Sequence, residues 1–154
     1  MVAAFHLDID GLADRFDDMT PLMERIGAYG EESTVYRFET GVGPDGEAWT
    51  PSYRARTQGG KTLDDTSRLK GSMTHYASAH AAEWGTNVIY AGVHQGGLTI
   101  RPKSADRLTF QIPGLGWRSA EEIVMPKREF LGLDSDDRDE IEAIGGDYIA
   151  EPLS

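Results

Sequence analysis

GVGPDG, residues 41–46, sets Gly41, Gly43 and Gly46 at the G-x-G-x-x-G spacing of a dinucleotide-binding loop. That loop works only between a strand and a helix, where bare backbone approaches a pyrophosphate resting on the helix N-terminus. On the left, Leu12, Phe16, Met19, Met23 and Ile26 alternate spacings of four and three, the mark of one helical apolar stripe. Thr20-Pro21 breaks that stripe: threonine is a good N-cap and proline suits a first turn. The pattern predicts a short helix ending near Met19 and a longer one over 21–38. On the right, EAWTPSYRARTQGGKT carries another proline and neither helical nor strand periodicity. A helix precedes the glycines and none follows, so the nucleotide reading fails. Gly41 reads instead as a helix stop, and Pro44-Asp45-Gly46 as a tight turn.

Beyond the turn, residues 41–67 read as one long irregular loop, a feature uncommon in compact domains unless it is functional or mobile. Trp49 could pin it to the core. Arg54, Arg56 and Lys61 make it locally basic, so Trp49 and these three cations are the candidate contacts to a neighbouring molecule. LKGSMTHYASAHAAEWG, residues 69–85, alternates weakly and reads as a hairpin. Thr86-Asn87 could cap a helix over 88–95, ended by Gly96-Gly97. Leu98 and Ile100 alternate, KSAD turns the chain, and Leu108, Phe110 and Ile112 alternate again as strands. EEIVMP, 121–126, is one more strand. LDSDDRDEIEAIGGDYI reads as a final helix with Ser135 as N-cap, acids in its first turn and a stripe of Ile141, Ile144 and Tyr148. Gly145-Gly146 weaken it by roughly 1 kcal/mol each relative to alanine. The expected fold is α+β in a single domain over 1–154. N-terminal helices and a C-terminal helix pack on a small antiparallel sheet beside the irregular loop.

The 154 residues carry 26 acids against 15 bases, a net charge of −11. DNA coating depends on cations that release counterions, so this balance argues against it. Only four lysines occur among the bases, and such acidic, lysine-poor surfaces stay soluble in concentrated salt. A halophilic source and an ordinary acidic protein fit equally well. The absence of cysteine excludes disulfides, thiolate metal sites and thiol nucleophiles. No apolar run is long enough to span a bilayer, and the opening MVAAFHLDID has no secretory pattern, so a soluble protein without membrane partners is expected.

Catalytic and metal motifs are incomplete. His75, His80 and His94 have no companion carboxylate at a ligand interval, so no metal is expected, and a metal-dependent hydrolase built on them is the least favoured function. Asp134, Asp136, Asp137 and Asp139 lack the glycine and glutamate of a calcium loop. Ser67 to Lys70 forms S-x-x-K without its partner motifs, and no G-x-S-x-G elbow occurs. No catalytic residue, cofactor or enzymatic activity is expected.

Four stretches in order carry a resemblance: GPDGEAWTP (43–51), DTSRLKGS (65–72), GTNVIYAGVHQG (85–96) and PKREFLGL (126–133) followed by an acidic helix start. Together they resemble the phage virion morphogenesis family, the Mu-like tail completion proteins, over about 12–149. The motif residues are Pro44, Gly46, Tyr90, His94, Gln95, Pro126, Arg128, Phe130 and Leu131. Phe130 and Leu131 are expected to anchor the last helix on the sheet, and Arg128 to make a specific ion pair or backbone hydrogen bond. Ser67 stands where the family usually has glycine, Gly96 replaces an aromatic or aliphatic residue, and Glu129 replaces a second proline. The resemblance implies a structural protein of the head–tail neck that forms a ring around the DNA channel and completes the tail. Six copies are preferred and twelve are the alternative. DNA would pass without sequence-specific binding. Neighbouring neck, connector or tail-tube proteins would be partners, in the virion and earlier in the host cytoplasm. A portal-side adaptor or minor capsid protein, from a bacterial or haloarchaeal tailed virus, is the second reading.

Overall fold

The computed structural model describes residues 16–112 and 114–151. Residues 16–17 are helical, and the rest of the expected first helix, with Leu12, lies outside the described residues. The long helix α1 spans Thr20–Thr40. Its cap is Met19 rather than Thr20: the Asp18 carboxylate accepts the Thr20 N–H at 3.0 Å, so the helix begins a residue early and Pro21 falls in its first turn. At the other end Gly41 adopts φ 72° and returns its N–H to the Arg37 carbonyl at 2.8 Å. The following turn closes through Gly46 N–H to the Gly43 carbonyl at 3.0 Å, with Gly46 at φ 79°. Both glycines thus occupy left-handed backbone that a side chain would strain.

The loop expected to be irregular throughout contains a helix, α2, Tyr53–Gln58, capped by the Ser52 hydroxyl, which accepts the Ala55 N–H at 3.1 Å. Six residues with no buried member leave no periodic apolar signal, so only the cap marked it. A 3-10 turn, Lys70–Ser72, leads into the hairpin of β1 (Thr74–Ala77) and β2 (Ala82–Gly85), where His75 faces Trp84 across the ladder. Ahead of it Ser67 holds φ 56°, which accounts for a glycine at that place in the resembled pattern. Helix α3, Ala91–Gly96, starts later than expected. The Thr86 hydroxyl accepts the Val88 N–H at 3.1 Å and so bends the chain before the helix instead of capping it.

The strands after α3 pair differently from the simple reversal between 98–100 and 108–112 that the polar KSAD suggested. Strand β3 (Leu98–Ile100) pairs with β6 (Ile123–Met125), and β4 (Leu108–Ile112) with β5 (Gly116–Ala120), all antiparallel. Residues 98–125 therefore form one long two-stranded arm with an outer and an inner ladder. The chain reverses where Gly114 and Gly116 supply φ 82° and 74°, which KSAD cannot. The last helix, α4, covers Ser135–Ala150. Its cap is Asp134, not Ser135: the Asp134 carboxylate accepts the Asp137 N–H at 2.8 Å while Asp137 accepts the Asp134 N–H at 3.0 Å, a reciprocal box that a serine hydroxyl one residue later cannot close.

The architecture is α+β, with three small antiparallel ladders and α1 as the spine. The core gathers Phe38, Trp49, Leu69, Met73, Ala91 and Phe130, with the Phe38 ring tilted against Phe130 at 5.3 Å and edge-on to Trp49 at 5.6 Å. Phe130, wholly buried, thus ties the approach to α4 onto α1 rather than onto a sheet. Helix α4 packs on α1, and the first hairpin packs on another face of α1 through its glycines. A methyl at Gly30 would meet the Trp84 ring at 2.5 Å, whereas one at Gly146 in α4 meets nothing within 4 Å. Helix propensity favours alanine at both positions by up to about 1 kcal/mol. Gly146→Ala is therefore expected to raise the midpoint of urea unfolding and Gly30→Ala to lower it. A gain in both variants would contradict the packing described.

Candidate functional site in a cationic pocket

Two of the sequence stretches meet in space. Gln95, on α3, accepts the backbone N–H groups of Phe130 and Leu131 through Oε1, each at 3.1 Å, and donates Nε2 to the Leu131 carbonyl at 2.7 Å. The Arg128 N–H donates to the His94 carbonyl at 2.7 Å. One side-chain amide thereby does the work of a strand partner for a segment that belongs to no ladder. Pro44 abuts Gly132, where a side chain would stand 2.7 Å from the proline ring. GVHQG, PKREFLGL and the Pro44 turn are thus one structural unit around Phe130.

Beside this unit, between α2 and the foot of the arm, lies a cavity of about 590 Å3. Its walls include Arg54, Arg56, Arg68, Arg128, His94 and Pro126 with one carboxylate, Asp65, and Tyr53 and Tyr90 stand at the rim. Arg128 is 5% exposed, and its Nε donates to the Thr50 carbonyl at 2.7 Å. No carboxylate among the described residues pairs with it. Burial, and then the nearby charge of Arg56, pull its guanidinium below the usual arginine value. The Nδ1 atom of His94 is buried without a hydrogen-bond partner. Burial, reinforced by Arg128, holds the His94 ring below the ordinary histidine value and so in its neutral form. Four arginines against one lining carboxylate among the described residues make the pocket electropositive.

The four residues expected to reach a neighbour divide. Trp49 is buried, with its Nε1–H donated to the Glu129 carbonyl at 2.8 Å, so the indole is committed to the core. Arg54 braces its own loop through the carbonyls of Gly59, Lys61 and Asp64 and an ion pair with Asp65 at 3.3 Å. Lys61 pairs with Glu39, which Lys70 also holds at 2.6 Å. Arg56 alone is exposed in the pocket wall without a carboxylate partner among the described residues. The three histidines weighed for a metal do not form one group: among the described residues no cluster of three or more histidine or carboxylate side chains could hold an ion. His75 instead bonds Glu31 at 2.6 Å and Glu24 at 3.1 Å.

The phage virion morphogenesis family model matches residues 2–150. The chain belongs to that family. No curated protein and no solved structure matches it. Membership makes it a virion morphogenesis protein with a structural part in the particle, and the Gln95 clamp and the Phe130 anchor are what give this family member its shape. Sequence reasoning missed Arg68 and the buried Arg37–Asp137 pair. Nothing in their local pattern separates them from solvated charges, since their partners lie far along the chain.

His75 and His94 should titrate in a fixed order. Hydrogen bonding to Glu31 raises His75, opposed by burial and helped by Glu24, so its protonated form is favoured by folding. Its stabilisation is complete below the ordinary value of 6.5 and is lost as pH rises through its raised folded value. His94 behaves oppositely: its contribution is present above 6.5 and fades as pH falls through its lowered value. NMR titration of the ring protons is expected to put the His75 midpoint above 6.5 and the His94 midpoint below it. The reverse order would contradict the pocket geometry.

Proposed function

We propose that the chain is a subunit of the head–tail neck that assembles with copies of itself around the DNA channel, completes the tail and joins it to the capsid. The observation that carries this reading is the hairpin arm. It leaves Trp117 at 68%, Val124 at 62% and Leu98 at 47% exposure, with Leu115 also exposed near the tip. A two-stranded ribbon is marginal alone in water, and this one carries exposed apolar groups on both faces at its foot and at its tip, which a partner would cover. Arg101, Lys103, Arg107 and Arg118 against Asp106, Glu121 and Glu122 give the arm a charge of 4 − 3 = +1. The remainder of the chain is then −11 − 1 = −12, so the arm of one copy is attracted by the body of another.

Acidity supports the same role on the channel side. A surface of like charge to the phosphates lets DNA pass without adhering, and sequence-specific binding is not part of the proposal. Apolar burial by the arm supplies most of the affinity, because exposed ion pairs are worth only about 0–1 kcal/mol each. Six copies follow from a place on the tail side of the neck. A virus with the gene disrupted is expected to accumulate DNA-filled heads and separate, uncompleted tails in electron micrographs. Joined, infectious particles without the protein would overturn the proposal.

A further inference from the structure

The cationic pocket holds more positive charge than its one lining carboxylate, Asp65, neutralises, since among the described residues Asp65 pairs with Arg54 alone. Arg128 is buried with its Nε on the Thr50 carbonyl and no carboxylate partner among the described residues, a costly state unless a counter-charge arrives. His94 Nδ1 is buried in the same wall without a hydrogen-bond partner. Arg56 and Arg68 stand exposed at the opening, and Tyr53, Tyr90 and Val124 make its apolar lip. This concentration of cations is anomalous in a chain of net charge −11.

The matching surface is the start of α4. Asp136, Asp139 and Glu140 are exposed there without ion pairs among the described residues, and Leu133, 37% exposed, stands directly before them. Arg138 is the one base in that turn, and the excess of acids after an apolar residue complements an apolar lip around arginines. The α4 start of the same chain is not the occupant. Asp134 and Asp137 tie it to Arg37, and no α4 residue lines the pocket.

We infer that the pocket of one copy receives the acidic start of α4, from Leu133 to Glu140, of a second copy. Carboxylates from that segment pair with Arg56 and Arg68 at the opening and offset the charge of Arg128 behind them. DNA phosphate is the poorer occupant, because the surrounding acidity repels a polyanion while a short helix start brings only a few charges. Pocket and helix start are different surfaces, so the contact is head-to-tail and repeats by a rotation, the geometry that closes a ring. The inference rests on the proposed self-assembly and adds the contact through which it occurs.

The lack of cysteine allows a clean test by disulfide trapping. Thr66 lines the pocket and Ser135 stands on the helix start, both exposed and neither charged. Thr66→Cys protein mixed with Ser135→Cys protein under mild oxidation is expected to form mixed dimers roughly tenfold faster than Thr66→Cys with Tyr76→Cys, because complementary charge steers encounter. Adding Arg56→Glu and Arg68→Glu to the first partner should remove the advantage. Adding Asp136→Lys and Asp139→Lys to the second should restore it. Trapping no faster than the control pair overturns the docking, as does failure of the charge swap to restore it. Native mass spectrometry of the unmodified protein separates the two failures. Closed oligomers without this trapping would leave self-assembly standing, and monomers alone without trapping would remove both. Tight binding of a short DNA duplex that is lost in Arg56→Glu, Arg68→Glu protein would also overturn the inference, making phosphate the ligand.

Discussion

The buried pair of Arg37 and Asp137 ties the last helix to the first long one across 100 residues of sequence. Arg37 is 4% exposed and Asp137 3%. From α1 the guanidinium reaches the carbonyls of Phe130 at 3.1 Å and Gly132 at 2.9 Å, and the carboxylates of Asp134 and Asp137. Asp137 also accepts from the hydroxyls of Ser33 and Tyr29. Burial alone would raise its carboxyl, but the Ser33 hydroxyl, the Asp134 N–H and Arg37 together hold it below the usual carboxylate range. Burial and the hydrogen bond to Asp137 push the Tyr29 phenol up to about 12. Desolvating two charges is repaid only when the remaining lone pairs and protons are satisfied, and here nearly every one has a partner. Losing either member would leave a lone buried charge, at a cost of about 3–5 kcal/mol.

That pair has a consequence for the surface. It consumes the inner carboxylates of the α4 start, Asp134 and Asp137, and turns Asp136, Asp139 and Glu140 outward. The same segment carries Phe130 into the core and leaves Arg128 in the pocket wall. Positions two apart in an extended run thus serve core and pocket in turn. The arm between α3 and this segment is anchored at its foot, where Gly97 lies close to the backbone of Lys127 and Met125. Its length is free of core obligations, which suits an element that reaches another molecule.

Much of this was legible in the sequence because it depends on local chemistry. Pro21 and Gly41 bracket α1, and Pro44 to Gly46 make the turn that rules out a nucleotide loop. The stripe of Ile141, Ile144 and Tyr148 lies on the buried side of α4. What could not be read depends on distant partners. Whether Thr20 or Met19 caps α1 turned on one hydrogen bond from Asp18, and Ser135 lost the cap of α4 to Asp134 because Asp137 completes a box. Strand pairing in the arm was decided by left-handed glycines at 114 and 116, not by the polar stretch that looked like the turn. Arg54 and Lys61 looked free because a basic cluster in a loop gives no sign of the carbonyls and of Glu39 that occupy them. Arg128 was noticed through family resemblance, yet its lack of a counter-charge emerges only from its burial.

Family membership, an arm with exposed apolar groups, and a cationic pocket facing an acidic body all bear on one question: whether copies of this chain meet head-to-tail around DNA. A reconstruction of the virion neck, computed without imposed symmetry, tests that most directly. The account expects a closed ring of this chain coaxial with the channel, six copies on the tail side, with each arm lying against the next subunit. Twelve copies beside the portal would keep the ring and assign the adaptor role instead. A single copy, or density away from the channel axis, would contradict the account.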